Sequence, residues 1–133
     1  MPQKLLFIIN PDAGKGAMRE KTLDCIDLFV REGFDVMVYT TQKPQDAIRI
    51  VRARATEFDR IICSGGDGTL NEVVTGLLDG GHKVPLGYIP AGTVNDFASS
   101  LFISKQVMEA AKMAVGSDFQ TVDIGRFADR YFC

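Results

Sequence analysis

Gly65-Gly66-Asp67-Gly68-Thr69 is the densest concentration of residues that could do chemistry in this sequence. It lies between an apolar segment, Arg60-Ile61-Ile62-Cys63, and a run of helical periodicity that begins at Leu70. Adjacent glycines let a backbone approach a ligand closely, and the start of a helix offers unpaired N–H groups and the positive end of a dipole. Phosphate is the natural occupant of such a turn. The plainer reading is a tight strand-to-helix turn in which Asp67 or Thr69 merely caps the helix, and the cluster by itself leaves both open. Better-known glycine motifs do not fit. Gly14-Lys15-Gly16 lacks the earlier glycine and the following Ser or Thr of a Walker A loop. Read as GxGxxG, that loop has Arg19 at the third glycine position, and the cluster starting at Gly66 has Asn71 there. Ser64 is no nucleophile elbow, because GxSxG would need glycine where Ile62 stands.

A second polar constellation, Pro90-Ala91-Gly92-Thr93-Val94-Asn95-Asp96-Phe97, follows another apolar segment. Asn71 and Glu72 come just after the first cluster, Asn10-Pro11-Asp12-Ala13-Gly14 ends the first apolar run, and Asp123-Ile124-Gly125 comes near the end. Taken singly these are a Pro-Gly turn before a helix, a solvated helix face, a strand-ending turn and a turn. The elements around them change that reading, because each polar loop falls after a strand.

Leu5 to Ile9 is a short continuous apolar run closed by Asn10-Pro11, as expected of a strand buried on both faces. Met18, Thr22, Cys25/Ile26 and Phe29/Val30 recur at helical spacing up to Gly33, a C′ stop. Phe34 to Thr41 reads as a second strand. Pro44 fits the first turn of a helix running to about Thr56, with Ile48, Val51 and Ala55 on one stripe. Arg60 to Cys63 is the third strand, and Leu70, Val73, Val74, Leu77 and Leu78 give a helix ended by Gly80-Gly81. Leu86 to Ile89 is the fourth strand. A short helix near Asn95 to Leu101, a helix from Lys105 to Val115 and a strand region from Thr121 complete the order. Alternating strands and helices imply βαβ units, a mostly parallel sheet covered on both faces and a three-layer α/β fold of Rossmann type. Right-handed crossovers bring the strand C-termini and their polar loops to one edge.

The 133 residues suffice for one domain, and 46% hydrophobic with 24% charged residues is a globular composition. A formal charge of −2 argues against a nucleic-acid partner, which normally meets a basic face, and against a purely electrostatic membrane anchor. Cys25, Cys63 and Cys133 show no CxxC spacing, so neither a disulfide framework nor a zinc site is expected and a reducing cytoplasm is the default. The single His82 leaves little for a Ser/His/Asp hydrolase or a multi-histidine metal site. The apolar run near the start is too short for a signal peptide or a membrane span.

Gly65-Gly66-Asp67-Gly68-Thr69-Leu70-Asn71-Glu72-Val73-Val74, with Pro90 to Ala98, closely resembles the catalytic domain of the diacylglycerol, sphingosine and ceramide kinase family. Asn10-Pro11-x-Ala13-Gly14-x-Gly16 and Asp123-x-Gly125 fall where that family has them. GGDG is shared with NAD kinases and phosphofructokinases, whose fold type the resemblance also implies; TxNE and PxGTxND point to the lipid-kinase branch. The resemblance implies ATP with its phosphates over Gly66, Asp67, Gly68 and Thr69 and the adjoining Leu70. It lines the same cleft with Asn10, Pro11, Asp12, Ala13, Gly14, Thr41 and Thr93, and completes it with Asn71 and Glu72. It makes Asp67, Asp96 and Asp123 an acidic group near Mg²⁺.

That family continues into a second, β-rich domain that supplies much of the lipid surface and the catalytic base. Arg130-Tyr131-Phe132-Cys133 has the character of a strand interior, so residues 1–133 are expected to be the N-terminal nucleotide-binding domain of a longer lipid kinase. The intact enzyme would act on diacylglycerol or a related lipid, with transient contact to a membrane surface from the cytoplasm. An unprotected strand edge favours self-association, which leaves a homodimer open. The rival readings are an NAD kinase-like phosphotransferase on a soluble acceptor and a nucleotide-binding module without catalysis.

Overall fold

A computed structural model of the chain describes residues 3–12, 21–90 and 107–115. The elements run β1 (Gln3–Ile9), α1 (Thr22–Arg31), β2 (Phe34–Thr40), α2 (Asp46–Arg54), β3 (Arg60–Gly65), α3 (Asp67–Gly80) and β4 (Leu86–Pro90), and residues 107–115 are helical. The strands form one sheet in the order β2-β1-β3-β4, and all three pairings are parallel. The fold is therefore α/β with a parallel sheet between two helical layers, as the alternation of elements predicts.

β1 has a neighbour on each side and helices on both faces, which is why its last five residues can all be apolar. Leu5, Phe7 and Ile9 face Cys25, Leu28 and Phe29 of α1 and Val107, Ala111 and Ala114 of the last helical stretch. The Phe7 and Phe29 rings meet edge to face with centroids 5.2 Å apart. Leu6 and Ile8 face the opposite layer, where Ala47, Ile50 and Val51 of α2 and Leu70, Val73, Val74 and Leu77 of α3 are buried. Leu5 to Ile8 have no exposure at all, and full burial stabilises each such side chain by about 1.5–3 kcal/mol.

The boundaries shift modestly from those the sequence predicts. Helix α1 begins at Thr22, and Met18 lies outside the described residues. Helix α2 begins two residues past Pro44 and tightens at its end into a 3-10 turn over Ala55–Glu57. β3 runs on to Gly65, and α3 starts at Asp67 rather than after the whole glycine cluster. Gly33 and Gly81, at φ of 97° and 65°, occupy the left-handed conformation that ends α1 and α3. Val30 and Leu78 keep helical spacing yet are 54% and 44% exposed, because each stripe is wider than the sheet surface that covers it. The helix near Asn95 to Leu101, the strand from Thr121 and the segment Arg130 to Cys133 lie outside the described residues.

Two close approaches set the layer spacing. A Cβ on Gly87 would meet the Ala114 Cβ at 2.7 Å, so glycine in β4 lets the last helical stretch lie against the sheet. Arg60 holds that stretch from below, donating from Nη1 to the Ala114 carbonyl at 2.8 Å with its guanidinium over the Phe34 ring. On the other face, a Cβ on Gly76 would sit 2.9 Å from the Val51 Cβ and 3.0 Å from the Ile48 carbonyl oxygen.

Gly76→Ala should therefore destabilise the fold by about 1–3 kcal/mol through overpacking, outweighing the roughly 1 kcal/mol that alanine gains over glycine in a helix. Urea unfolding reads the result. A midpoint at or above that of the wild type would show that α2 and α3 can separate without cost.

Candidate functional site

The register of the parallel strands levels their C-terminal ends. Ile9 stands opposite Thr40 on one side and Ser64 on the other, and Gly65 stands opposite Pro90. One step further, the Asn10 N–H donates to the Ser64 carbonyl at 2.9 Å and the Thr41 N–H donates to the Ile9 carbonyl at 2.8 Å. Asn10, Thr41 and the Gly65–Gly66 turn thus lie side by side on one edge, as right-handed βαβ connections require. Asn10 is half-buried, and its Oδ1 accepts from the Asp12 N–H at 3.1 Å, which turns Pro11 and Asp12 back at the strand end.

The glycine cluster divides into two kinds of position. A Cβ on Gly65 would lie 2.5 Å from the Thr69 Oγ1, so Gly65 is glycine because the buried Thr69 side chain packs on it. The Tyr88 hydroxyl donates to the Gly65 carbonyl at 2.8 Å and fixes the turn from β4. Gly66 and Gly68 differ. Among the described residues a Cβ on either would meet nothing within 4 Å, and the Gly66 backbone, at φ −88° and ψ −171°, is extended. Neither packing among the described residues nor backbone geometry calls for glycine there, while Gly68 inside a helix costs about 1 kcal/mol relative to alanine.

Helix α3 opens without a side-chain cap. Gly66 at the cap position has none to offer, and neither Asp67 nor Thr69 makes a side-chain hydrogen bond among the described residues. The first N–H groups of an α-helix have no partner within it. Here they open beside two bare glycine α-carbons. Asp67 is exposed in the first turn, Thr69 and Leu70 are buried beneath it, and Asn71 and Glu72 are half-buried in the next turn. The Asn71 Oδ1 is buried without a hydrogen-bond partner among the described residues, and so is the Ser64 Oγ at the end of β3. An orphaned buried acceptor costs about 1–3 kcal/mol. The N–H donors and the bare glycines suit phosphate oxygens, whereas the Asn71 Oδ1, an acceptor, would need a hydroxyl, an amine or a water as its donor.

Glu72 is tied elsewhere as well: its Oε1 accepts from the Ala47 N–H at 3.3 Å, in the first turn of α2. Beside it is a group that the sequence did not single out. Asp46 is 2% exposed and accepts hydrogen bonds from the Gln42 N–H at 2.8 Å, the Tyr39 hydroxyl at 2.8 Å and both Nε and Nη2 of Arg49, at 3.1 and 2.8 Å. The Gln42 N–H, then Arg49 and Tyr39, hold the Asp46 carboxyl below the usual carboxylate range against its burial. The signal available in sequence was a carboxylate opening a helix just after Pro44.

Of the remaining predicted site residues, Ala13, Gly14, Thr93, Asp96 and Asp123 lie outside the described residues. Among those described, no three His, Cys, Asp or Glu side chains gather as metal ligands would, and no helix is long and apolar enough to cross a membrane. Burial pushes the Cys25 thiol up to about 11, aided by Asp24, and the Cys63 thiol up to about 12, so neither is a ready nucleophile.

Comparison with known proteins gives the family. The profile of the diacylglycerol kinase catalytic domain matches residues 4–127. A diacylglycerol kinase of Staphylococcus epidermidis is 37% identical over 133 residues, covering 99% of this chain and 42% of the relative. A diacylglycerol kinase of Staphylococcus aureus has the same identity and coverage. The crystal structure of a diacylglycerol kinase from Bacillus anthracis strain Sterne superposes with a TM-score of 0.70 at 33% identity, covering 86% of this chain and 42% of that one. The chain therefore spans less than half the length of the curated relatives it matches. The architecture is that of the NAD kinase and phosphofructokinase-like folds.

The Asp46 cluster gives a pH-dependent expectation. Its folded pKa is depressed, so its stabilisation is fully present above the unfolded aspartate value, about 3.9, and is lost as pH falls through the lower folded value. Asp46→Asn should lower the melting temperature by several degrees at pH 7, with the gap narrowing below about pH 4. Thermal melts of both proteins between pH 7 and pH 3 check it; a gap independent of pH would mean that the charge contributes nothing.

Proposed function

The chain belongs to the diacylglycerol kinase catalytic-domain family, and we propose that it is the nucleotide-binding portion of a lipid kinase that moves the γ-phosphate of ATP to a lipid hydroxyl, with diacylglycerol or a close relative as acceptor. The observation that carries this reading is the pair Gly66 and Gly68, which nothing among the described residues requires to be glycine and whose Cβ positions at the start of α3 meet none of those residues within 4 Å. Bare α-carbons there let phosphate oxygens reach the N–H groups of Asp67, Gly68 and Thr69. Asn10, Pro11 and Asp12 border the phosphates from β1, with Ala13 and Gly14 continuing that loop and Thr93 completing it from the β4 side. Thr41 contacts the nucleotide from the end of β2, and Asn71 offers from the helix an Oδ1 that has no hydrogen-bond partner among the described residues.

Asp67 is exposed where a divalent cation on the phosphates would be met, and the reading gathers Asp96 and Asp123 with it as an acidic group around Mg²⁺, through water. When bound, Mg²⁺ neutralises charge on the phosphate oxygens and holds them for transfer. The protein's part is to hold the donor still. Transfer also needs an acceptor oxygen in line and relieved of its proton. We assign that task, the base and the lipid-facing wall to the β-rich domain of the longer protein, since the chain covers only 42% of its relatives. The intact enzyme would work in the cytoplasm at a membrane surface, with a homodimer as its simplest assembly.

Gly66→Val in the full-length protein should keep the melting temperature within about 2 °C, because its Cβ meets none of the described residues within 4 Å, and abolish calorimetrically detectable MgATP binding. Asp67→Asn should leave melting unchanged and lower kcat about 100-fold or more toward diacylglycerol in mixed micelles. Unchanged nucleotide affinity in a folded Gly66→Val protein would sink the phosphate-loop assignment. Transfer to a soluble dinucleotide acceptor, with none to lipid, would favour the NAD kinase-like alternative.

A further inference from the structure

The junction between β2 and α2 is built more tightly than a connection needs. A buried carboxylate is costly unless fully partnered, and Asp46 is supplied with four donors. It does not spend them on capping its own helix. The backbone group it holds is the Gln42 N–H, next to Thr41, while the Thr41 N–H is itself held by the Ile9 carbonyl of β1. The Gln42 side chain folds back to the Thr40 carbonyl at 2.9 Å and the Thr40 Oγ1 at 3.0 Å. Arg49 braces the carboxylate and donates to the Tyr39 hydroxyl at 2.6 Å. Thr41 is thereby gripped from both sides. Closing so short a turn places Gln45 at φ 70°, a left-handed conformation that a non-glycine residue adopts only when its surroundings impose it.

The clamp extends to the glycine loop. Ala47, the residue after Asp46, donates its N–H to Glu72, one turn beyond the start of α3. Gly76 keeps the two helices close enough for that bond, because a Cβ there would touch both Val51 and the Ile48 backbone. We propose that Asp46 is a positioning residue of the nucleotide site, which fixes Thr41 at the strand edge and, through the Ala47–Glu72 bond, holds α2 against the helix that carries the phosphate loop. This role rests on the nucleotide-binding reading above. Asp46 need not touch the nucleotide.

The test compares full-length wild type, Asp46→Asn and Tyr39→Phe. It uses calorimetric titration with a non-hydrolysable ATP analogue and Mg²⁺, the KM for ATP and for micellar diacylglycerol, and amide hydrogen exchange over residues 40–47 and 60–65. Asp46→Asn should weaken analogue binding by about three- to thirtyfold, the range for couplings through a contact network, and raise the KM for ATP with little change in that for the lipid. The Gln42 and Ala47 amides should exchange faster while β3 stays protected. Tyr39→Phe, which removes one donor at the edge of the cluster, should move each quantity in the same direction by less, and carries the test if Asp46→Asn does not fold. Faster exchange with unchanged analogue affinity in a folded variant would overturn the positioning role and leave Asp46 a stabiliser of the turn. A wild type that binds no analogue would instead overturn the nucleotide reading itself.

Discussion

The parallel placement of β1 between β2 and β3 is the constraint from which the remaining geometry follows. A strand paired on both sides and covered on both faces can bury every side chain, and Leu5 to Ile8 do so completely. Parallel pairing also forces each strand to end at the same edge and each return to cross a face as a helix. Asn10, Thr41 and Gly66 are distant in sequence and become neighbours only because Ile9 is level with both Thr40 and Ser64. The site is a consequence of strand register, with each loop supplying what its strand end delivers.

Most of this was legible in the residues because the relevant signals are local. Continuous apolar runs bounded by turn residues mark strands buried on both faces, and the spacing of Leu70, Val73, Val74 and Leu77 marks the buried stripe of α3. Gly33 and Gly81 mark helix ends because their backbones need positive φ. Periodicity places Leu78 on the same stripe but cannot tell where the covering sheet stops, and that residue is 44% exposed. Periodicity starts α3 three residues late, at Leu70, because glycine suppresses the helical signal, and Asp67-Gly68-Thr69 is helical all the same.

The Asp46 cluster was illegible for a different reason. Its four donors come from Tyr39, Gln42 and Arg49, all within ten residues, yet only the folding of β2 against α2 turns them toward one carboxylate. Composition suggests a surface ion pair at Asp46 and Arg49, worth little in water. Burial of Asp46 changes its character, since an unpartnered carboxylate there would be intolerable. Glu72 carries the same lesson. The resemblance in sequence implies a place in the nucleotide pocket, whereas in the fold its Oε1 accepts from the Ala47 backbone and links α2 to α3.

Several costs in the described structure adjoin the C-terminal edge of the sheet, and their place bears on function. Gly68 gives up helix propensity, Gln45 holds a left-handed backbone, and Ser64 and Asn71 bury polar atoms with no partner among the described residues. Along the strands, by contrast, side chains interdigitate in two apolar layers, with the Phe7–Phe29 contact on one face and the α2–α3 contact on the other. A fold under selection for stability alone would replace Gly68 at no loss to the apolar layers, because an alanine Cβ there meets none of the described residues within 4 Å. Ser64 ends β3, Gly68 and Asn71 open α3 and Gln45 precedes α2, so these costs adjoin the strand ends where the proposed nucleotide would lie, and its phosphates would occupy the space that side chains at Gly66 and Gly68 would fill.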